Sequence, residues 1–322
     1  MKVKTINSLM KYLRDKKGIS IQGSAQKRKL KNIGYYHGYK GYRFVNKPKN
    51  LIKYSDFNEL LCVYEFDMQI KSLIYPQIMF LETAFKNYAL DNIIRMTDSD
   101  RFADAYSKAM LEYKNNKIGT DAYKKAIQKR LNLRNRIYSD LSRDYSNKLI
   151  VQHYYSKDKP VPIWAVFELI SFGEFGVLLT CLNTNIKRSI SEDIGFNKAQ
   201  DADGRLSETL VYVLKDLRNA VAHNDPVFDV RFKTSKINTR IPNYLSSETG
   251  IQDIDFNSIV DYIILICYLL KCFGLSKNEI KKFIRDFINC CENLRKNIPV
   301  NIYTKILLTN TRKKLNKLLN YI

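Results

Sequence analysis

The sequence predicts a helical protein, and three observations carry that prediction. Leu206, Leu210, Val213, Leu214, Leu217 and Val221 recur at the three-to-four-residue interval that lines one face of an α-helix. Ile6, Leu9, Met10 and Leu13 repeat the pattern near the N-terminus, and Leu307, Leu308, Leu315, Leu318 and Leu319 repeat it near the C-terminus. Hydrophobic residues fill 45% of the 322 positions, ample for a packed core, so a disordered chain is excluded.

In chain order, residues 1–22 predict a short helix, followed by the basic run Gln26 to Lys31 and a tyrosine–glycine block. Ser55 is the candidate N-cap of a helix through Leu60, Leu61 and Tyr64 past Met68, and a second helix covers Gln77 to Arg95. Glu82 stands on that otherwise apolar helix, which favours a buried ion pair. Residues 98–150 are charge-rich, with many cations between Lys124 and Arg143, and are expected to form a helical-hairpin insertion. Lys148 to Pro162, with a structural His153 and two prolines, is expected as a loop. Residues 161–186 hold the sole tryptophan, Trp164, among Phe167, Leu169, Ile170 and Phe172, and are assigned to the core. Glu168 within this run can orient a histidine or pair with an arginine. The helix of Leu206 to Val221 takes Ser207 as its N-cap. Residues 229–255 form the longest connection, and 256–275, 276–297 and 299–321 are expected as three helices.

The charge is lopsided: 54 Lys and Arg oppose 32 Asp and Glu, a net +22, which points to a polyanionic partner. A lysine-rich composition inherited from an AT-rich genome is the competing explanation. Cys62, Cys181, Cys267, Cys272, Cys290 and Cys291 show no CxxC spacing and no companion histidines, so they are expected as buried thiols of a cytoplasmic protein rather than metal ligands. Met1 to Lys4 open no apolar leader, and the longest apolar run, Ile259 to Leu270, is broken by Asp261 and too short to span a bilayer. No phosphate-loop, dinucleotide, nucleophile-elbow or paired-metal acidic motif occurs, so no metal and no cofactor is expected.

Chemistry concentrates in Leu217-Arg218-Asn219-Ala220-Val221-Ala222-His223-Asn224-Asp225-Pro226. Imidazoles exchange protons near neutral pH and a guanidinium neutralises a phosphate, which together suit RNA cleavage. Asn219 and His223 are four apart on one helical face, so the amide can orient the imidazole. Arg218 lies roughly 140° around the helix from His223. Convergence on one phosphate therefore needs a long reach, a frayed last turn before Pro226, or a second subunit. Taken alone, the segment also fits a surface arginine and a capping histidine.

The block Ile33-Gly34-Tyr35-Tyr36-His37-Gly38-Tyr39-Lys40-Gly41-Tyr42-Arg43-Phe44 is one of four ordered segments that resemble the Abi-like abortive-infection family, related to the HEPN superfamily of RNA-cleaving helical domains. The others are Phe57 to Asp67 leading into Leu81 to Lys86, Pro162 to Gly173, and Arg218 to His223. Tyr36-His37 replaces the family's common Tyr-Arg, and 100–150 is unusually long and charged. The resemblance implies an all-α, HEPN-like helical bundle over 55–230, with the charged insertion at about 98–150, a basic aromatic region at 1–54 and C-terminal helices at 256–322. It implies a homodimer that cleaves RNA without metal, with Arg218 and His223 as catalytic candidates and Asn219 as the orienting amide. Abortive infection or a toxin–antitoxin setting follows, with a structured small RNA as a restraining partner and no membrane role. Tyr36, His37, Tyr39, Lys40 and Arg43 are the candidate RNA contacts, since aromatics stack on unpaired bases while cations hold phosphates. Packing of Tyr35, Tyr36, Tyr39 and Tyr42 as a small aromatic core is the equal alternative. A non-catalytic RNA-binding protein is the competing function, and a protein-interaction module without RNA is the third.

Overall fold

The first amides of a helix lack intrahelical acceptors, and short polar side chains in this chain supply them. Thr5, Thr120, Ser171, Asn183, Ser258 and Ser276 each accept a hydrogen bond from a backbone amide two or three residues on. At Ser171 and Ser276 a glutamate three residues later bonds back, completing reciprocal caps. The computed structural model describes residues 5–322; the expectation at Met1 to Lys4 lies outside the described residues.

The fold is all-α, and among the described residues strand pairing is limited to three isolated bridges. Helices α1 (Ile6–Lys17) and α2 (Gly23–Ile33) precede a π-helical turn over Tyr35–Lys40, then α3 (Phe57–Thr97) and the single turn α4 (Phe102–Asp104). The middle of the chain forms α5 (Asp121–Asp144), α6 (Leu149–Tyr155), α7 (Ile163–Leu169), α8 (Phe172–Cys181) and α9 (Thr184–Ile194). There follow α10 (Leu206–Ala222), α11 (Arg240–Thr249), α12 (Ile259–Cys272), α13 (Lys277–Asn297), α14 (Val300–Ile306) and α15 (Thr311–Tyr321). None is long and apolar enough to cross a membrane among the described residues.

The chain divides into two compact units, a terminal unit of residues 1–78 and 216–322 and a central unit of 79–215. The aromatic N-terminal region and the C-terminal helices, expected as separate extensions, therefore fall within one unit. Its centre is α12, buried on every side from Ile259 to Leu270, with α11, α13 and α15 packed around it. Asp261, which interrupts that apolar run in the sequence, is buried 2.7 Å from Lys314 and also accepts the amides of Asp255 and Phe256. Burial pushes its carboxyl upward, against the pull of Lys314. Lys314, one of the basic residues of the last predicted helix, thus serves the core.

In the central unit, Leu133, Ile137 and Leu141 are the buried stripe of α5, which packs on α7 and α8. Lys187 is buried between Glu208 at 3.0 Å and Glu112 at 3.5 Å. Glu82 pairs with Lys86 at 3.1 Å, as its place on an apolar helix suggested.

Several element boundaries differ from expectation. The N-cap of α3 is Asp56, whose Oδ1 accepts from Asn58 N while Glu59 bonds back to the amides of Ser55 and Asp56. The two helices expected over residues 55–95 are one, because Pro76 removes a single hydrogen bond from a long apolar helix without ending it. Leu206, not the residue after Ser207, begins α10; its amide is accepted by Asp201 Oδ1. The expected helical hairpin at 98–150 is a single long helix, α5, preceded by short turns, since one apolar stripe supports one helix and Gly119 occupies a left-handed conformation before it. Residues within 148–162 and 229–255 form α6 and α11 rather than pure connections, and the last predicted helix is split into α14 and α15 at the Leu308 to Asn310 turn. Trp164 is 39% exposed, its ring edge-on to Tyr154, so it borders the core instead of filling it.

Candidate functional site at the end of α10

Leu217 and Ala220 are buried, three residues apart, which turns Arg218 and Asn219 to half-buried positions on the flank of α10 and leaves His223 exposed at its end. The helical bond from His223 N to Asn219 O persists at 2.9 Å, so the last turn is intact and the offset of about 140° between arginine and histidine survives. The chain then reverses. Asn224 takes a left-handed conformation, φ 58°, and Asp225 N bonds back to Ala220 O at 2.8 Å, a termination reinforced by Pro226.

Asn219 behaves differently from expectation. Its Oδ1 accepts from Arg218 Nη1 at 3.4 Å, and among the described residues no side-chain hydrogen bond joins it to His223. The i,i+4 spacing puts the two on one face, but the amide turns toward the neighbouring guanidinium, whose charge makes it the stronger donor.

What holds the segment after the motif is a buried carboxylate on α3. Asp67 Oδ1 accepts the amides of Val227 and Phe228, both at 2.8 Å, while Oδ2 accepts Tyr42 Oη at 2.6 Å and pairs with Lys71 at 2.7 Å. Lys71 Nζ also reaches Asn224 Oδ1 at 2.9 Å, clamping the reversal next to His223. Burial and then the Asp67 charge push the Tyr42 hydroxyl well above the usual phenol range. The Tyr42 ring stacks on Phe228, 5.5 Å between centroids. A second buried carboxylate, Asp229, accepts Asn46 N at 2.7 Å and pairs with Arg231 at 2.6 Å. Arg231 in turn donates to Phe44 O and lies 4.1 Å from the Phe44 ring centroid. Burial raises the Asp229 carboxyl, against the bonds from Arg231. Between Asp229 and Arg231, Val230 sits at φ 53°, a strained conformation for a β-branched residue.

The π-helical turn divides the tyrosine–glycine block between buried and exposed positions. Tyr39 is only 5% exposed and stacks on Tyr35, so it departs from the expected RNA contacts and joins Tyr42 in the aromatic core. Tyr36, His37, Lys40 and Arg43 instead line a pocket of about 440 Å³. Its far wall is Asp225, Pro226 and Arg231, the stretch that follows His223. Gly41 permits this approach, since a Cβ there would stand 3.3 Å from Pro226 Cγ.

Four residues that organise the site went unassigned in the sequence: Asp67, Lys71, Asp229 and Arg231. An acid and a base four apart in an apolar helix, as Asp67 and Lys71 are, was the available signal for the first pair. Glu168 is exposed on α7, and His153 is exposed with Lys157 Nζ 3.3 Å from its ring. The six cysteines are free thiols, and no group of three His, Cys, Asp or Glu side chains is placed to hold a metal ion among the described residues.

A family model described as Abi-like protein matches residues 28–229, taking in the aromatic block, the Asp67 helix and the Arg218–His223 segment. No curated protein and no solved structure matches the chain.

Proposed function

Because the chain belongs to the Abi-like protein family, which implies a part in abortive infection, we propose that it is a HEPN-type endoribonuclease whose chemistry is carried by His223 and Arg218. The observation that supports this most directly is an exposed imidazole at the end of α10, on the same segment as a half-buried guanidinium hydrogen-bonded to Asn219. His223 acts as base, taking the proton from a ribose 2′-hydroxyl as that oxygen attacks the adjoining phosphorus. The bond from phosphorus to the 5′-oxygen breaks, and a protonated imidazole returns a proton to the leaving oxygen. The products are a 2′,3′-cyclic phosphate and a 5′-hydroxyl. Arg218 neutralises the charge of the pentacoordinate phosphate, and Asn219 fixes the guanidinium. The angular offset of Arg218 and His223 favours a homodimer, in which two α10 ends supply one histidine for each proton transfer.

The test incubates purified wild-type protein and its His223→Ala variant with total bacterial RNA in EDTA and maps new ends bearing 2′,3′-cyclic phosphate. Ends made by wild type alone support the enzyme. If neither protein cuts while both retain RNA, the enzyme gives way to a non-catalytic RNA-binding protein.

A further inference from the structure

The pocket beside His223 contains a guanidinium with nothing to bind. Arg43 is half-buried, its Nε is shut off from solvent, and its side chain forms no hydrogen bond or ion pair among the described residues. The Arg43 guanidinium lies 5.9 Å from the Phe44 ring centroid. A guanidinium N–H shut off from solvent without an acceptor is costly, and part of that cost is recovered when an anion arrives. Arg231, on the opposite wall, is already neutralised by Asp229, so Arg43 and the exposed Lys40 are the cations left for a ligand.

The same pocket exposes aromatic surface. Tyr36 is 70% exposed at its mouth, its ring held edge-on by His37 at 5.3 Å. Phe44 and Phe232 line the interior. A flat ring offered to solvent beside Arg43, with the Lys40 ammonium 5.4 Å from the Tyr35 ring centroid, suits a ligand that combines a planar base with a phosphate.

Position narrows the ligand further. Asp225 lines the pocket and is two residues from His223, so the two backbones are at most about 7 Å apart. A polynucleotide whose scissile phosphate rests at His223 therefore brings a neighbouring nucleotide to the pocket mouth.

We propose that this pocket receives one unpaired nucleotide of the RNA, its base against Tyr36 and its phosphate on Arg43, and so selects single-stranded or looped cleavage sites. The inference rests on the ribonuclease assignment only for its biological meaning, because nucleotide capture is measurable without cleavage. A base inside a duplex is stacked and paired, so it cannot enter without being extruded.

The experiment titrates full-length protein, as the His223→Ala variant that leaves RNA uncut, with three fluorescently labelled probes. These are a short oligoadenylate, the same oligomer with one abasic ribose, and a blunt RNA duplex of equal length. Binding to the unpaired oligomer should exceed binding to the duplex by tenfold or more. Tyr36→Ala and Arg43→Gln should each weaken the unpaired oligomer about tenfold while leaving the duplex within about twofold. The abasic probe should lose affinity on the parent protein and nothing further on Tyr36→Ala. Tyr36 is exposed, so its variant keeps the proposal open to test even if Arg43→Gln misfolds. Equal affinity for unpaired and duplex probes, or equal losses on both in Tyr36→Ala, overturns the pocket as a nucleotide site. The two assignments fail separately. Tight, Tyr36-dependent binding without any cleavage by wild type removes the nuclease and keeps the pocket, whereas cleavage unaffected by Tyr36→Ala removes the pocket and keeps the nuclease.

Discussion

Replacing Asp67 by Asn should loosen the chain beyond His223 without touching the catalytic candidates. The carboxylate serves two backbone amides, a phenol and an ammonium, and is itself shut off from solvent. Asn has nearly the same shape, and its single carbonyl oxygen can still accept from Val227 and Phe228. Its NH2 then faces Lys71, a donor against a donor, and the ammonium is left buried with Asn224 alone. Breaking a buried pair from one side costs about 3–5 kcal/mol. For a unit of this size, a loss of that order lowers Tm by roughly 10 °C. Thermal unfolding by circular dichroism reads the first effect, and hydrogen exchange at the amides of Val227 and Phe228 reads the second. Adding Lys71→Met removes the stranded charge and should recover at least half of the lost Tm, as an apolar replacement of both partners does elsewhere. Asp67→Ala should be worse than Asp67→Asn, since two amides lose their acceptor at about 1–3 kcal/mol each. A Tm within about 2 °C of wild type for Asp67→Asn, with Val227 and Phe228 still protected, would refute the reasoning.

Other perturbations test neighbouring steps. Gly38→Ala should destabilise by about 1–3 kcal/mol in urea titrations, because its Cβ would meet the Ile33 side chain at 2.6 Å, whereas Gly41→Ala, with 3.3 Å to Pro226, should stay within about 1 kcal/mol. Asn219→Ala should lower kcat roughly tenfold through a looser Arg218 while leaving the pH–rate profile in place; a displaced profile would return the amide to the imidazole. Tyr42 keeps its proton in the folded state to a pH above the ordinary phenol value of 10.0, so its share of stability is complete below that pH and is lost as pH rises past it. Tyr54, Tyr262 and Tyr268 are shifted the same way, so Tyr42→Phe should flatten only part of the alkaline fall in urea midpoint.

The amino-acid sequence determined the helical class and the segment to examine. Apolar spacing within α10 acts between residues less than two turns apart, so it is visible in one dimension, whereas the caps expected at Ser55 and Ser207 are displaced to Asp56 and to the Asp201 carboxylate that accepts Leu206 N. The order of Arg218, Asn219 and His223 was equally legible, as was a buried pair for Glu82. Helix continuity through Pro76 was not, because one lost hydrogen bond is outweighed by packing that composition does not reveal. Nor was the division of the tyrosine block, in which Tyr39 turns inward and Tyr36 outward by the register of a π-helical turn. Tertiary structure alone decided that Asp67 and Lys71 grip the chain more than 150 residues later. It alone placed Arg43 across a pocket from Asp225 and turned Asn219 toward Arg218. Those choices depend on which donors and acceptors meet when distant helices pack, and a buried polar group takes the partner that folding brings to it.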